Sequence, residues 1–135
     1  MATFNVPVTK IDNIEEHPNA DMLELAVIGE FRSIVRKGQF LKNDLVVYIP
    51  EASIVPENIL KELNLWDIEK NKGKLTGKNG DRVKAIKLRG ILSQGLCYSN
   101  HNFTSEIDDV KDELGIIKYE PEIPTTMNGE VSNLF

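Results

Sequence analysis

The run Leu45-Val46-Val47-Tyr48-Ile49, stopped by Pro50, constrains the fold more than any other stretch. It is β-branched and aromatic throughout, long enough for a buried strand and too short for a helix. Its surroundings are punctuated at the same short interval. Phe4, Val6 and Val8 alternate with polar positions, and Ile11 and Ile14 extend that face to the break at His17-Pro18-Asn19-Ala20-Asp21, predicting one first strand and its turn. Met22–Ile28 predicts a second strand closed by Gly29, and Phe31–Val35 a third closed by Lys37-Gly38. Pro56, followed by Ile59, Leu60, Leu63 and Trp66 at helical spacing, predicts a short helix over 56–65. Within that stripe Trp66 is expected to plug the core, with base stacking as its alternative use.

Strand character resumes at Val83, Ala85, Ile86, Leu88 and Ile91-Leu92, and again over Gly95–Tyr98. Ser105-Glu106-Ile107-Asp108 fits a capping pattern, with Ile107, Val110 and Leu114 on one face and Gly115 as the stop, so a last helix is expected there. Ile116–Tyr119 is expected to form a short strand. Many short strands, one helix in a long connection and no parallel βαβ rhythm point to a mainly β fold. It is expected to be a small barrel of about five strands with one or two short helices, the oligonucleotide-binding fold being the leading candidate.

A chain of 135 residues suits one domain with one real core. No secretory leader is legible in MATFNVPVTK, and no stretch approaches the roughly 20 apolar residues of a membrane span. The expectation is an intracellular protein, cytosolic or nuclear, with no membrane partner. Cys97 is the only cysteine, which excludes an internal disulfide and a thiolate metal site within one chain; beside Leu96 and Tyr98 it is expected to be buried. His17 and His101 lie far apart and are expected in loops, so no residue is assigned to catalysis or to a metal.

The net charge of −5 argues against a polyanion only if the charge is evenly spread, and it is not. Residues 1–69 carry six Lys/Arg against twelve Asp/Glu (−6), and residues 90–135 carry two against eight (−6). Between them, Lys70, Lys72, Lys74, Lys78, Arg82, Lys84, Lys87 and Arg89 face Asp81 alone (+7). Part of that cluster, 69–81, has three glycines and no apolar period, predicting an exposed and mobile loop. The remainder runs into KLRGILSQGL (87–96), where Gly90 and Gly95 are expected to supply a tight turn or bulge. Alternation places Lys87 and Arg89 opposite Leu88, with Arg82 and Lys84 continuing the row. The candidate nucleic-acid-binding residues are therefore Lys74, Lys78, Arg82, Lys84, Lys87 and Arg89, with Ser93 and Gln94 donating to sugar or phosphate or else stabilising the turn. A solvated lysine loop is the alternative.

These residues carry a resemblance. His17-Pro18-Asn19-Ala20-Asp21 followed by Lys87-Leu88-Arg89-Gly90 and Ser93-Gln94-Gly95-Leu96 is similar to the tRNA-binding oligonucleotide-fold module of several aminoacyl-tRNA synthetases. Val46–Glu57, the helix and Arg82–Gly90 together resemble more closely the N-terminal module of ATP-dependent RNA ligases of the Deinococcus and Naegleria type, over roughly residues 3–120. That resemblance implies a module over 1–120 that engages RNA or a nicked RNA-containing duplex. It also implies a linker, 121–135, toward an absent nucleotidyltransferase domain that follows in cis. In the parent enzyme a lysine in Lys-x-x-Gly attacks ATP, the AMP passes to a 5′-phosphate, and a 3′-hydroxyl RNA end displaces it to seal the break, with Mg2+ or Mn2+ implied.

Lys70–Gly73 and Lys74–Gly77 match the four-letter pattern, but both fall in a polar loop that offers neither desolvation nor a nucleotide pocket. No cofactor is therefore expected in this chain, which matches the binding module and ends before a catalytic domain. A stand-alone tRNA-binding or synthetase-associated scaffold is the second reading. A protein-interaction barrel with a solubilising lysine loop is the third.

Overall fold

The computed structural model describes residues 4–120, and the expected linker over 121–135 lies outside them. The first apolar segment forms two strands instead of one, β1 (Val8–Lys10) and β2 (Asn13–Glu16). Between them the backbone changes partners. Ile11 N–H donates to the Asp44 carbonyl at 2.9 Å on one side, whereas Asp12 N–H donates to Val27 at 2.8 Å on the other. β3 (Leu23–Ile28), β4 (Phe31–Arg36) and β5 (Leu45–Ile49) follow where the sequence places them. After these come β6 (Ser53–Ile54), α1 (Glu57–Glu62), β7 (Trp66–Asp67) and β8 (Lys72–Gly73). The chain then forms β9 (Ile86–Leu88), β10 (Ile91–Ser93), β11 (Leu96–Tyr98), the single turn α2 (Lys111–Leu114) and β12 (Ile117–Lys118).

Antiparallel pairs β1–β5, β5–β11, β2–β3 and β3–β4 make most of a barrel. The seam is closed where β4 meets β10 and β11. There Gln94 N–H donates to the Arg32 carbonyl at 2.8 Å and Ile34 N–H to Ser93 Oγ at 2.9 Å. Among the described residues the circuit runs β1/β2, β3, β4, β10/β11, β5 and back to β1.

β5 explains its own sequence. Val46 and Tyr48 enter one buried cluster, inside the barrel, with Ile11, Ala26, Ile28, Val35, Phe40 and Cys97. Val47 and Ile49 enter a second, outer cluster with Val6, Val8, Val55, Ile59, Leu60, Val83, Tyr98, Val110 and Ile116. A strand apolar on both faces needs two cores, and the long connection after β5 supplies the outer one. Trp66 packs on the outer cluster, with the Lys61 ammonium 5.7 Å from its ring centroid.

Three local expectations are corrected. α1 is shorter than 56–65 because Pro56 is its N-cap and Leu63 its C-cap, with Asn64 turned to φ 60°. The segment 69–81 is folded, not an open loop: β8 pairs with β7, and Gly73 and Gly80 are buried backbone to backbone. A Cβ built on Gly73 would lie 2.0 Å from the Gly80 carbonyl oxygen. Ser105–Asp108 does not cap a helix, because Ile107 and Val8 exchange two backbone hydrogen bonds at 2.9 and 3.0 Å that hold this stretch extended. The helical turn starts only at Lys111 and ends, as expected, at Gly115.

Candidate nucleic-acid interface

In barrels of this kind the ligand side is the outer face of the second and third strands with the loops that rim it. Here those strands are β3 and β4, and the rim is the loop 17–22 together with the connection 50–90. Ala26, Ile28, Ser33 and Val35 point inward, so the paired Leu23, Leu25, Val27, Arg32, Ile34 and Arg36 point outward. Arg32 is tied to Glu15 by an ion pair at 3.0 Å.

The β9–β10 hairpin reaches this rim. Its apex is Arg89-Gly90, both with positive φ (52° and 84°), the two-residue turn whose twist suits a tight hairpin. Arginine in that conformation costs about 1–2 kcal/mol, so something must hold it. His17 and Asn19 do. His17 is buried; Asn19 N–H donates to its Nδ1 at 3.0 Å, which assigns the ring hydrogen to Nε2, and Nε2 donates to the Leu88 carbonyl at 3.0 Å. The Asn19 side-chain amide donates to the Arg89 carbonyl at 2.8 Å. The two halves of the sequence signature, His17–Asp21 and Lys87–Gly90, are thus one clamp. His17 lies in a loop, as expected, but its role has no local signal, because its partner lies 71 positions away.

The structure redistributes the expected basic row. β9 spans three residues, so Lys87 faces away from Leu88 as expected, whereas Arg89 leaves the strand for the apex. Lys84 is exposed outside any strand, and Arg82 belongs to a separate ladder. The Arg82 backbone exchanges hydrogen bonds with Thr76 at 3.0 and 3.2 Å, and its carbonyl also accepts from Thr76 Oγ1 at 2.8 Å. Lys74, Arg82 and Lys84 converge on a small pocket of about 140 Å³ floored by Leu75, Val83 and Leu96. Lys78 lies on the other side of Arg82, in a cleft of about 510 Å³.

Ser93 sits on the structural side of its two expected roles. It is buried, its hydroxyl accepts from Ile34 N–H, and it belongs to the barrel seam. The Gln94 backbone is likewise committed, its carbonyl accepting from Tyr48 Oη at 2.8 Å. An aromatic group that the sequence does not single out is Tyr119, whose ring centroid lies 4.3 Å from the Arg82 guanidinium. Lys70 and Lys74, the lysines of the two Lys-x-x-Gly matches, are exposed. Among the described residues no group of three or more His, Cys, Asp or Glu is placed to hold a metal ion. Burial pushes the Cys97 thiol up to about 11, the hydrogen bond with Ser33 pulling the other way, so it is a protonated packing group.

A protein-family profile described as an OB-fold domain matches residues 5–100. No curated protein matches the sequence. Among solved structures, the Naegleria gruberi RNA ligase with PPi is 27% identical with a TM-score of 0.74, over 93% of this chain and 38% of that one. A mutant of the same ligase with ATP and Mn is 28% identical with a TM-score of 0.73 over the same shares. Another mutant, with AMP and Mn, is also 28% identical with a TM-score of 0.73, over 94% and 38%. The chain therefore spans about two fifths of the length of the ligases it matches.

Proposed function

Because the chain belongs to the OB-fold domain family, we propose that it is the N-terminal, nucleic-acid-engaging module of an ATP-dependent RNA ligase sealing 3′-hydroxyl/5′-phosphate breaks. The observation that carries this reading is the likeness to the Naegleria ligase over 93% of the chain; the clamped basic hairpin of this chain lies on the rim where such barrels bind. In this reading residues 1–120 grip the nicked RNA-containing duplex and 121–135 lead to a nucleotidyltransferase domain in cis. ATP and Mn2+ or Mg2+ act in that second domain, as the similar ligase structures with ATP and Mn and with AMP and Mn suggest. Lys74, Lys78, Lys84, Lys87 and Arg89 neutralise phosphates on both sides of the break, Arg82 lies among them on the same nucleic-acid surface, and Ser93 and Gln94 frame the seam. Phosphate contacts of this kind confer register and affinity without sequence preference.

Binding of a labelled nicked duplex, followed by fluorescence anisotropy across a salt series, tests it. The double substitution Lys84→Ala/Lys87→Ala should weaken binding evenly across sequences and flatten the slope of log K against log salt by roughly 2. An unchanged slope refutes the interface. A marked preference for folded tRNA over the nicked duplex transfers the assignment to the synthetase-type module.

A further inference from the structure

We propose that the cleft beside the stacked Arg82 and Tyr119 side chains is a stacking site for one unpaired nucleobase, selective for bases that carry an exocyclic amine. This inference rests on the nucleic-acid reading and adds to it a site that no phosphate contact requires. The cleft of about 510 Å³ falls in the size range of small-ligand sites and is over three times the neighbouring lysine pocket. Its walls have the composition of a nucleotide site. Tyr119 supplies a half-exposed aromatic ring, and Arg82 a planar cation already layered on that ring at 4.3 Å. With their facing sides in contact, the side of the pair that is turned to the cleft accepts a base by stacking.

Neither group is floppy. Tyr119 N–H donates to the Ala52 carbonyl at 2.6 Å, next to the β6–β12 pair, and the Arg82 backbone is bridged to Ile54 on one side and Thr76 on the other. Among the described residues Arg82 has no ion-pair partner, and its guanidinium lies over the Tyr119 ring. A stacked pair held from both flanks is a preorganised platform.

The remaining walls set the selectivity. Asp81 and Glu120 are acceptors only, and Asn79 both donates and accepts. Carboxylates repel phosphate but accept from the amino groups of adenine, cytosine and guanine; uracil has no such donor. Lys78 on the same rim offers the phosphate contact. The predicted occupant is a nucleotide splayed out of the duplex or at a single-stranded end.

The test uses single-stranded RNA carrying 2-aminopurine, whose fluorescence falls when the base stacks. Wild-type protein should quench it on binding, and oligo-A should compete better than oligo-U. Tyr119→Ala should abolish the quenching and weaken single-strand binding roughly 10- to 100-fold. Tyr119→Phe, which keeps the ring, should behave as wild type, and retained nicked-duplex binding by the alanine variant shows that its loss is of stacking and not of fold. Nicked-duplex affinity, set by the lysines, should change little in either. Quenching that survives Tyr119→Ala, or none in wild type that binds nicked duplex tightly, overturns the stacking site alone. Wild-type protein that binds neither RNA overturns the module reading and this site with it.

Discussion

Gly95 and Gly90 stand five residues apart in KLRGILSQGL, and replacing each by alanine should have unequal consequences. Both have positive φ, 79° and 84°, so alanine at either costs about 1–2 kcal/mol of backbone strain. At Gly90 that is the whole effect, since a Cβ there would meet nothing closer than Asn19 Nδ2 at 3.6 Å. At Gly95 the Cβ would lie 2.6 Å from Tyr48 Oη and 2.7 Å from the Ile49 carbonyl oxygen, both in the barrel wall. Relieving that overlap moves the Tyr48 side chain, breaks its hydrogen bond to the Gln94 carbonyl at a cost of about 1 kcal/mol, and disturbs its stacking on Phe31. The sum for Gly95→Ala is about 3 kcal/mol or more, a large share of the 5–15 kcal/mol typical of a domain. Urea unfolding followed by the fluorescence of Trp66, the only tryptophan, measures both variants against wild type. Equal losses for the two would refute the claim that close approach of Gly95 to the barrel wall is what excludes a side chain there.

His17→Ala leaves the Leu88 carbonyl and the Asn19 amide without their partner, and is expected to cost about 2–4 kcal/mol and to speed hydrogen exchange across β9 and β10. Exchange unchanged in the hairpin would show that it is held from elsewhere. Burial pushes the Asp109 carboxyl up, but hydrogen bonds from the Lys111 ammonium and from the Val6 and Lys111 amides outweigh it and hold it below the usual carboxylate range. A depressed folded value contributes stability above about pH 4 that is lost as pH falls through it. The stability gap between wild type and Asp109→Asn should therefore be open at neutral pH and close in strong acid; a gap that does not narrow removes the carboxylate's role. Cys97, protonated and buried, should resist alkylation near neutral pH and react promptly in denaturant. Rapid labelling of the native protein would contradict its place in the barrel interior.

The strands were legible where side-chain pattern and burial coincide. β5 matches its five apolar residues, and β3 and β4 agree with expectation to within a residue, because each is bounded by a local stop such as Pro50, Gly29 or Lys37-Gly38. What failed was decided by distant partners. Ser105–Asp108 has the letters of a capping box, yet its backbone is claimed by Val8 across the fold. The glycines of 69–81 read as freedom, but two of them are there so that backbones can touch. Of the site, the basic cluster was visible as charge along the chain. The convergence of Lys74, Arg82 and Lys84, the withdrawal of Ser93 into the seam and the pairing of Arg82 with Tyr119 depend on contacts that no short window contains.

The clamp made by His17 and Asn19 also sets an order of events in folding. It joins the first fifth of the chain to a hairpin some seventy residues later, and such non-local contacts form late because loop closure opposes them. The strained Arg89 turn has little reason to persist before they form. A nascent or partly melted chain therefore carries the same lysines and arginines without their arrangement. The arrangement of the basic side chains on the rim is therefore a property of the finished barrel, which incomplete molecules lack.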